Sequence, residues 1–287
     1  IGECTIMFSP SNTGPVFTTY ADDDLYFRTI AADILQGRVL AQLALDEGSE
    51  TAGILARQDP YGEGLHDFIK QGFEEAGGEI TSDALYDPEA GDFSAETEEL
   101  VSADPDALFL VGFAESATIM TDLAEQGFTP DKKKIYFVEG NMSDATAEDL
   151  SPGALVGVKG TIPGARVSAE FEARLRAQDT GLPALTYGPE TYDALIVMAL
   201  AAEVAKTDQA DEVARAINGV TRDGTKCTTY QQCKDLVAAG TDIDYDGASG
   251  PLEFSKPGEP SAASYGIFPW LADNTIGDPE TYKDVSI

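Results

Sequence analysis

Residues 51–64 carry the pattern that most constrains this chain: a short strand, a turn, and the start of a helix. Residues 51–56 are an apolar run, which is typical of a strand buried on both faces of a parallel sheet. Pro60 ends the run, because proline cannot donate to a central ladder. The apolar residues that then recur at helical spacing are Leu65, Phe68, Ile69 and Phe73. Ligands bind at such carboxyl-end turns in open α/β sheets, so Tyr61 stands at the mouth of a candidate crevice.

The same alternation of strand and helix continues on both sides of this unit. Strands are predicted over residues 3–9, 25–29, 51–56, 79–86, 107–111, 134–138 and 155–160. Helices are predicted over residues 34–47, 65–73, 94–101 and 116–126. Because short connections join these elements, residues 29–159 are predicted to form one doubly wound parallel domain.

The chain after residue 160 is predicted to be mainly helical and then to return to strands. The predicted helices cover residues 167–178, 189–206, 211–218 and 234–239, and the strands cover 250–254 and 263–270. The residues expected on the buried side of the helix at 189–206 are Tyr192, Leu195, Ile196, Met198, Ala199 and Ala202. These last strands have no pairing partners near them in the sequence, so we expect them to add to the sheets formed by the earlier strands.

The charge balance argues against two classes of partner. The 287 residues include 51 acidic and 18 basic side chains, which gives a formal net charge of −33. Phosphate groups would be repelled, which argues against nucleic acid and anionic membrane surfaces. The acidity indicates a strongly hydrated surface rather than a specific cationic partner. No stretch approaches the ~20 apolar residues of a membrane span.

Two of the three cysteines, Cys227 and Cys233, lie six residues apart in a polar stretch. No histidine lies near them to complete a metal site, so a local disulfide is predicted, worth roughly 2 kcal/mol through loop entropy. Free surface thiols are the alternative interpretation. A disulfide would indicate an oxidising compartment and therefore an exported protein.

An enzymatic function has little support in the sequence. The one histidine, His66, lies within a predicted helix beside its polar face, where an exposed surface residue is a plainer interpretation than a catalytic base. The sequence shows no nucleophile elbow, no phosphate-binding loop and no metal site with His/Cys spacing. We therefore predict a protein that is not an enzyme and that uses neither a cofactor nor a metal.

One motif matches a calcium-binding loop by spacing alone. Asp242, Asp244 and Asp246 precede Gly247, and Glu253 stands at the twelfth position. The helix that should leave such a loop is missing, and the residues around Glu253 are typical of a strand. A plain acidic turn is therefore the favoured interpretation.

Several polar and aromatic residues stand at the ends of predicted elements. They are Ser11, Thr13, Tyr61, Phe113, Glu139 and Tyr187. Glu139 is the most informative, because an acid directly after a buried strand is costly unless it meets a cation or hydrogen-bond donors. The hydroxyls and turn amides around Ser11 suit a carboxylate, and aromatic rings suit an apolar side chain. Together these groups predict a site for a zwitterion such as an amino acid.

Eight motifs in order along the chain resemble one family. They are FSPSNTGPVFT at 8–18, FRT with DILQG at 27–37, DPYGEG at 59–64, GDFS at 91–94, VEGN at 138–141, TYDA at 191–194, SGPLEF at 249–254 and YGIFPW at 265–270. This order resembles the type I periplasmic solute-binding proteins of the branched-chain amino acid (Leu/Ile/Val) ABC-transporter class. The resemblance implies an α/β fold with two doubly wound parallel-sheet lobes joined by a three-strand hinge.

The resemblance also implies a role for each site residue. Ser11 and Thr13 would hold the carboxylate of the solute, and Glu139 would bind its ammonium group. The aromatic residues that would close on the solute and line its pocket are Tyr61, Phe113 and Tyr187. Two positions depart from the family pattern, because Phe113 replaces a frequent tyrosine and Asn12 replaces a small residue.

The resemblance assigns residues 1–33 and 162–249 to lobe 1, and 34–161 and 252–287 to lobe 2. Family members begin well before residue 1, so lobe 1 is expected to be incomplete at its N-terminus. Cys4 is then expected to pair with a cysteine of that earlier segment, or to be buried in its strand as a small apolar group.

The implied function is that of an extracytoplasmic solute-binding component of an ABC importer, with a membrane permease as its partner. It would bind an amino acid or a related small polar solute between two lobes, and it would lie in the periplasm or outside the cell, with a lipid anchor left open. Two alternatives remain: a ligand-sensing domain of the same fold, and an amide hydrolase.

Overall fold

The computed structural model describes residues 5–182 and 185–286, so Cys4 and its predicted pairing lie outside the described residues. The chain forms two compact units. Unit 1 comprises Ile1–Ala32, Gly164–Ser264 and Asp284–Ile287, and unit 2 comprises Asp33–Pro163 and Tyr265–Lys283. Residues 252–264 and 284–286, which the resemblance assigned to lobe 2, lie in unit 1. For residues 252–264 the reason is that Leu252 and Phe254 are buried in the unit 1 core.

The strands, in chain order, are β1 (Met7–Ser9), β2 (Tyr26–Arg28), β3 (Thr51–Arg57), β4 (Glu79–Tyr86), β5 (Ala107–Val111), β6 (Lys134–Phe137), β7 (Lys159–Pro163), β8 (Thr225–Cys227), β9 (Ile243–Gly247), β10 (Gly250–Pro251), β11 (Ala262–Pro269) and β12 (Thr281–Ser286). The α-helices are α1 (Asp33–Asp46), α2 (Pro60–Glu75), α3 (Ser94–Ala103), α4 (Ser116–Glu125), α5 (Asp144–Ala147), α6 (Ala169–Gln178), α7 (Gly188–Ala205), α8 (Ala210–Ile217) and α9 (Tyr230–Ala238). Single 3-10 turns cover Pro15–Thr19 and Glu139–Asn141.

Unit 2 is built on a seven-stranded sheet with the order β12-β11-β7-β6-β5-β3-β4. The five strands from β3 to β7 pair in parallel, and β11 joins antiparallel to β7. The central strands are continuous apolar runs, and all five residues of β5 are buried. This burial follows from helices on both faces of a parallel sheet, and it confirms the predicted α/β class.

The strand that was predicted over residues 155–160 begins four residues later in the structure. Residues 155–158 form a turn, and the strand runs over Lys159–Pro163 instead. Leu155 and Val158 are fully buried, so their apolar pattern resembles that of a strand. Gly157 has a φ of +101°, which is incompatible with extended backbone.

Unit 1 contains a parallel pair, β1 with β2, and a three-stranded sheet with the order β10-β9-β8. Its core gathers apolar side chains from these strands and from α7, α8 and α9. The predicted disulfide between Cys227 and Cys233 is present and lies in this core, not on the surface. Helix α9 begins four residues before the predicted start, because the Thr229 hydroxyl accepts from Gln232 N at 3.2 Å and caps it.

Helix α7 buries a different face from the one predicted. Leu195, expected inside, is 61% exposed, whereas Asp193 is fully buried. The other buried members are Pro189, Glu190, Ala194, Val197, Leu200 and Ala201. A helix that is apolar nearly all round has no single apolar stripe, so its sequence does not define the buried side.

Asp193 lies inside because it fastens the loop after β9 to helix α7. Its Oδ1 accepts from Tyr245 Oη at 2.7 Å and Ala248 N at 2.9 Å. Its Oδ2 accepts from the amide and the hydroxyl of Ser249 at 2.7 and 2.6 Å. Gly247 must lack a side chain, since a Cβ there would approach Asp193 Oδ2 to 2.2 Å.

We expect Asp193→Ala to lower the free energy of unfolding by about 2–4 kcal/mol, because buried donors lose their acceptor. Urea unfolding followed by circular dichroism measures this change. The matched control is Asp208→Ala, an exposed aspartate for which a change within about 0.5 kcal/mol is expected. Equal effects of the two substitutions would contradict the anchoring role of Asp193.

Glu190 makes the stability of the protein depend on pH. It is 3% exposed, and burial raises its pKa to about 7 from an ordinary value of 4.5, with a further rise from Asp193. Between these two pH values the folded chain binds more protons at Glu190 than the unfolded chain does. The contribution of this residue to stability is therefore greatest below pH 4.5 and is lost as the pH rises to 7.

The free energy of unfolding of the parent should fall as the pH rises from 4.5 to 7. We expect Glu190→Gln to make this fall smaller by about 3 kcal/mol. Urea unfolding at several pH values, compared with the parent protein, gives the difference. Glu212→Gln is the control, because Glu212 is exposed. Parallel stability profiles for the parent and Glu190→Gln would show that Glu190 titrates normally.

Within the described ranges, no helix has the length and apolar character needed to cross a membrane.

Candidate functional site

Three of the predicted site residues lie together at the carboxyl edge of the unit 2 sheet. Tyr61 follows β3, Phe113 follows β5 and Glu139 follows β6, and these strands are neighbours in the order β6-β5-β3. The Tyr61 hydroxyl donates to Glu139 Oε1 at 2.8 Å. The rings of Tyr61 and Phe113 stack, with centroids 5.2 Å apart and planes 6° from parallel. We call these three residues the Glu139 cluster.

The start of helix α2 places Tyr61. The Asp59 carboxylate accepts from the amides of Tyr61 and Gly62 at 3.1 and 2.8 Å, and Pro60 occupies the first turn, where its missing N–H costs nothing. Gly62 packs against the end of β3, since a Cβ there would lie 2.0 Å from Arg57 O. The motif DPYG thus holds the tyrosine next to the strand end.

The ring of Phe113 packs against the guanidinium of Arg57. The guanidinium carbon of Arg57 lies 4.3 Å from the Phe113 ring centroid. Asp59 and Glu115 hold Arg57 at 2.6 and 2.7 Å. Phe113 is 40% exposed. The arrangement holds an exposed aromatic surface in place, because the guanidinium that packs against the ring is itself held by two carboxylates.

Glu139 is positioned by the two residues that follow it. The Asn141 side chain is fully buried; it accepts from Val138 N and donates to Leu110 O, both at 2.9 Å. It also donates to Ser116 Oγ at 3.1 Å, which ties the ends of β5 and β6 to helix α4. A Cβ at Gly140 would approach Gly112 O to 2.6 Å and the Phe113 ring to 2.7 Å.

The Glu139 carboxylate lacks part of the stabilisation that a buried charge needs. Burial raises its pKa above the ordinary value, while hydrogen bonding from Tyr61 and the Gln36 side chain opposes that rise. Its second oxygen, Oε2, is buried and accepts no hydrogen bond of ordinary length from the described residues. An incoming cation or N–H donor would stabilise the charged form, so the cluster is suited to bind one.

We expect Tyr61→Phe to raise the pKa of Glu139 further, because it removes a hydrogen-bond donor to the ionised form. An NMR titration of the side-chain carboxyl carbons measures this shift without any solute. Tyr230→Phe is the control, since that hydroxyl donates to Glu203 in unit 1. An unchanged Glu139 pKa would show that the hydrogen bond is absent in solution.

Ser11 and Thr13 lie in a turn of unit 1 at residues 11–14. The Ser9 hydroxyl accepts from the amides of Ser11 and Asn12 at 3.3 and 2.9 Å. Two of the amides predicted to face a carboxylate are therefore engaged by Ser9. Ser11 itself is exposed, and Thr13 is 5% exposed. The candidate donors that remain in the turn include the Ser11 hydroxyl and the amide and hydroxyl of Thr13.

Tyr187 directly precedes helix α7 in a left-handed conformation, with a φ of 61°. Its carbonyl accepts from the amide and the hydroxyl of Thr191 at 2.9 and 2.7 Å. A bulky residue in this region is strained and persists only when its surroundings hold it. The structure thus gives Tyr187 a defined backbone position ahead of the helix.

The structure adds polar residues that the sequence interpretation overlooked. Gln36 is fully buried in unit 2 beside Glu139, and Arg28 and Glu259 form a buried ion pair in unit 1. Arg28 carried a usable signal, because a cation within the apolar stretch at 25–28 has to be paired if the strand is buried. Its partner is 231 residues away in the sequence, so only the fold identifies it.

The residues of the calcium-like motif meet around a lysine. Asp244, Asp246 and Glu253 each place an oxygen 2.9–3.0 Å from Lys226 Nζ. Hydrogen bonding to these carboxylates, first of all to Asp244, raises the pKa of Lys226. The ammonium group supplies the positive charge at the centre. The segment forms strand β9 rather than the expected acidic turn.

An α/β chain that crosses repeatedly between two units, with acid and aromatic groups at the carboxyl ends of parallel strands, has the construction of a type I solute-binding protein. The chain belongs to the periplasmic binding protein family, whose family model matches residues 5–259. The predicted resemblance to the branched-chain amino acid class is confirmed.

Three similar proteins illustrate this membership. The chemotactic signal transduction system substrate-binding protein BasB of Halobacterium salinarum is 24% identical over 268 residues, covering 90% of this chain and 62% of that protein. The Leu/Ile/Val-binding protein homolog 1 of Brucella suis is 29% identical over 221 residues, covering 73% and 56%. The leucine-binding protein LivK of Thermotoga maritima shares the fold with a TM-score of 0.76 at 21% identity, covering 98% and 73%. The chain spans about six tenths of the length of these curated relatives.

Proposed function

We propose that this chain serves as the extracytoplasmic solute-binding component of an ABC importer and that its solute is an amino acid or a related small zwitterion. The observation that carries the proposal is the Glu139 cluster. A carboxylate whose Oε2 accepts no hydrogen bond of ordinary length from residues 5–182 and 185–286 lies beside two stacked rings at adjoining strand ends. These groups suit an ammonium group that is attached to an apolar side chain.

Each predicted site residue has a role in this proposal. Glu139 binds the ammonium group, and Tyr61 holds the carboxylate of Glu139 in place while its ring contacts the apolar part of the solute. Phe113 extends that apolar surface. In unit 1, Ser11 and Thr13 bind the carboxylate of the solute, and Tyr187 contributes to its side-chain pocket.

The proposed amino-acid class is supported by two of the related proteins. The Brucella relative is named for binding leucine, isoleucine and valine, and the Thermotoga structure is named for binding leucine. The apolar character of the two stacked rings agrees with solutes of this kind. Phe113 offers no hydroxyl, so this part of the site favours an apolar rather than a hydroxylated side chain.

A sensory role is the second candidate, because the Halobacterium relative is named as part of a chemotactic signal transduction system. Both roles use the same solute site and differ in the membrane partner. Chemical crosslinking in membranes of the source cell, with and without leucine, distinguishes them by whether a permease or a transducer is captured. Turnover of leucinamide by the pure protein would instead favour the amide hydrolase.

An exported location accompanies this proposal. The family is that of periplasmic binding proteins, and the buried disulfide between Cys227 and Cys233 is compatible with an oxidising compartment. We propose that the protein acts in the periplasm or outside the cell, either free or held by a lipid anchor. Mass spectrometry of the protein isolated from its source distinguishes the free form from the lipidated form.

We expect Glu139→Gln to weaken leucine binding roughly ten- to a hundredfold. The substitution preserves shape and removes the charge, and a charge-assisted hydrogen bond contributes about 1.5–3 kcal/mol. Calorimetry with leucine, isoleucine and valine measures the loss. The same substitution should leave unchanged, or improve, the binding of 4-methylpentanoate, which lacks the ammonium group.

Two further variants make the comparison specific. Glu148→Gln removes an exposed charge from unit 2 and should leave leucine affinity unchanged. Tyr61→Ala should weaken leucine and 4-methylpentanoate alike, because it removes ring contact. If Glu139→Gln binds leucine as tightly as the parent does, the ammonium assignment is wrong and a neutral solute such as an amide becomes the better candidate.

A further inference from the structure

Arg28 is a buried cation directly behind the turn at residues 11–14. It is 1% exposed, and its guanidinium pairs with Glu259, which is 3% exposed. Nε donates to Glu259 Oε2 at 2.8 Å, and Nη2 donates to the same oxygen. A buried ion pair of this kind contributes little net stability as a rule, so its presence invites a role in placing other groups.

The remaining donors of Arg28 bind the turn and the side chain of Thr18. Nη1 donates to the carbonyls of Asn12 and Gly14 at 2.9 and 3.0 Å. Nη2 donates to the Thr18 hydroxyl at 3.0 Å, and that hydroxyl lies 3.1 Å from both oxygens of Glu259. All five N–H groups of the guanidinium therefore have acceptors. A lysine cannot reproduce this planar arrangement.

These contacts determine which way one amide points. The Asn12 carbonyl and the Thr13 N–H belong to one peptide plane, and the described part of the chain has no cis peptide bond. In a trans peptide the C=O and N–H bonds point in opposite directions. Because the Asn12 carbonyl points at Arg28, the Thr13 N–H points away from it. Ser9 meanwhile holds the two preceding amides.

We propose that Arg28 is a positioning residue that aims the Thr13 amide at the carboxylate of the solute, an inference that rests on the proposed function. Arg28 does not touch the solute. Its charge is neutralised by Glu259, and it acts by fixing the Asn12–Thr13 peptide and by polarising it, which strengthens the N–H as a donor. The carboxylate is then bound by an oriented amide and hydroxyls rather than by a cationic side chain.

The test compares two probes that differ in the carboxylate, leucine and 3-methylbutylamine. Arg28→Lys keeps the positive charge near Glu259 and loses the bonds to the turn. We expect leucine affinity to fall about ten- to a hundredfold, with the affinity for 3-methylbutylamine changed less than threefold. Thr18→Val, which removes one acceptor and leaves the ion pair, should shift the same ratio in the same direction by a smaller factor.

Asp193→Ala is the matched control, because it destabilises unit 1 through a different loop. It should leave the ratio of the two affinities unchanged. Urea unfolding of each variant checks that the assays are done on folded protein. If Arg28 had a purely structural role, Arg28→Lys would lower the affinities for leucine and 3-methylbutylamine together, or would lower neither. Either result would overturn the proposal.

A second readout does not need a solute. In the free protein, the amide nitrogen and proton resonances of Thr13 should shift and its heteronuclear NOE should fall in Arg28→Lys. If the parent binds neither probe while these NMR changes occur, the proposed function fails and the positioning of the turn stands. If the Thr13 resonances and NOE are unchanged in Arg28→Lys, the positioning inference is wrong whatever the protein binds.

Discussion

A charge that leaves water must be paired inside the protein, and this constraint organises both units. In unit 1, Arg28 and Glu259 neutralise one another, and Asp193 accepts four hydrogen bonds. The partners of Arg28 and Asp193 include backbone groups of loops. Each of these two buried charges therefore fastens an irregular segment to a strand or a helix.

Glu139 differs from these buried charges because its pairing is incomplete. Tyr61 satisfies one oxygen, and Asn141 and Gly140 hold the backbone beside it, yet Oε2 is buried without a donor of ordinary length among the described residues. The residues around Glu139 hold its carboxylate in place before any ligand binds, and the folded protein carries the free-energy cost of burying it. A ligand that brings a donor then gains affinity without having to order the site.

The acidity of the chain has two different consequences. Most of its 51 acidic side chains maintain a negative, hydrated surface and say little about function. A few carboxylates have specific partners inside the fold, such as the three that surround Lys226 or the pair that holds Arg57 under Phe113. The sequence spacing of Asp244, Asp246 and Glu253 resembles a calcium loop, although the lysine that fills their centre comes from another strand.

The sequence by itself determined the α/β class and the alternation of strands and helices along the chain in unit 2. It also determined the local disulfide and the candidate site residues at strand ends. These features depend on local periodicity, turn chemistry and short spacings. Only the tertiary structure decided that Asp193 faces inward while Leu195 does not, that residues 252–264 join unit 1, and that Arg28 pairs with Glu259. The physical reason is that burial and charge pairing depend on residues that are far apart in the chain, and no local pattern records which of them meet.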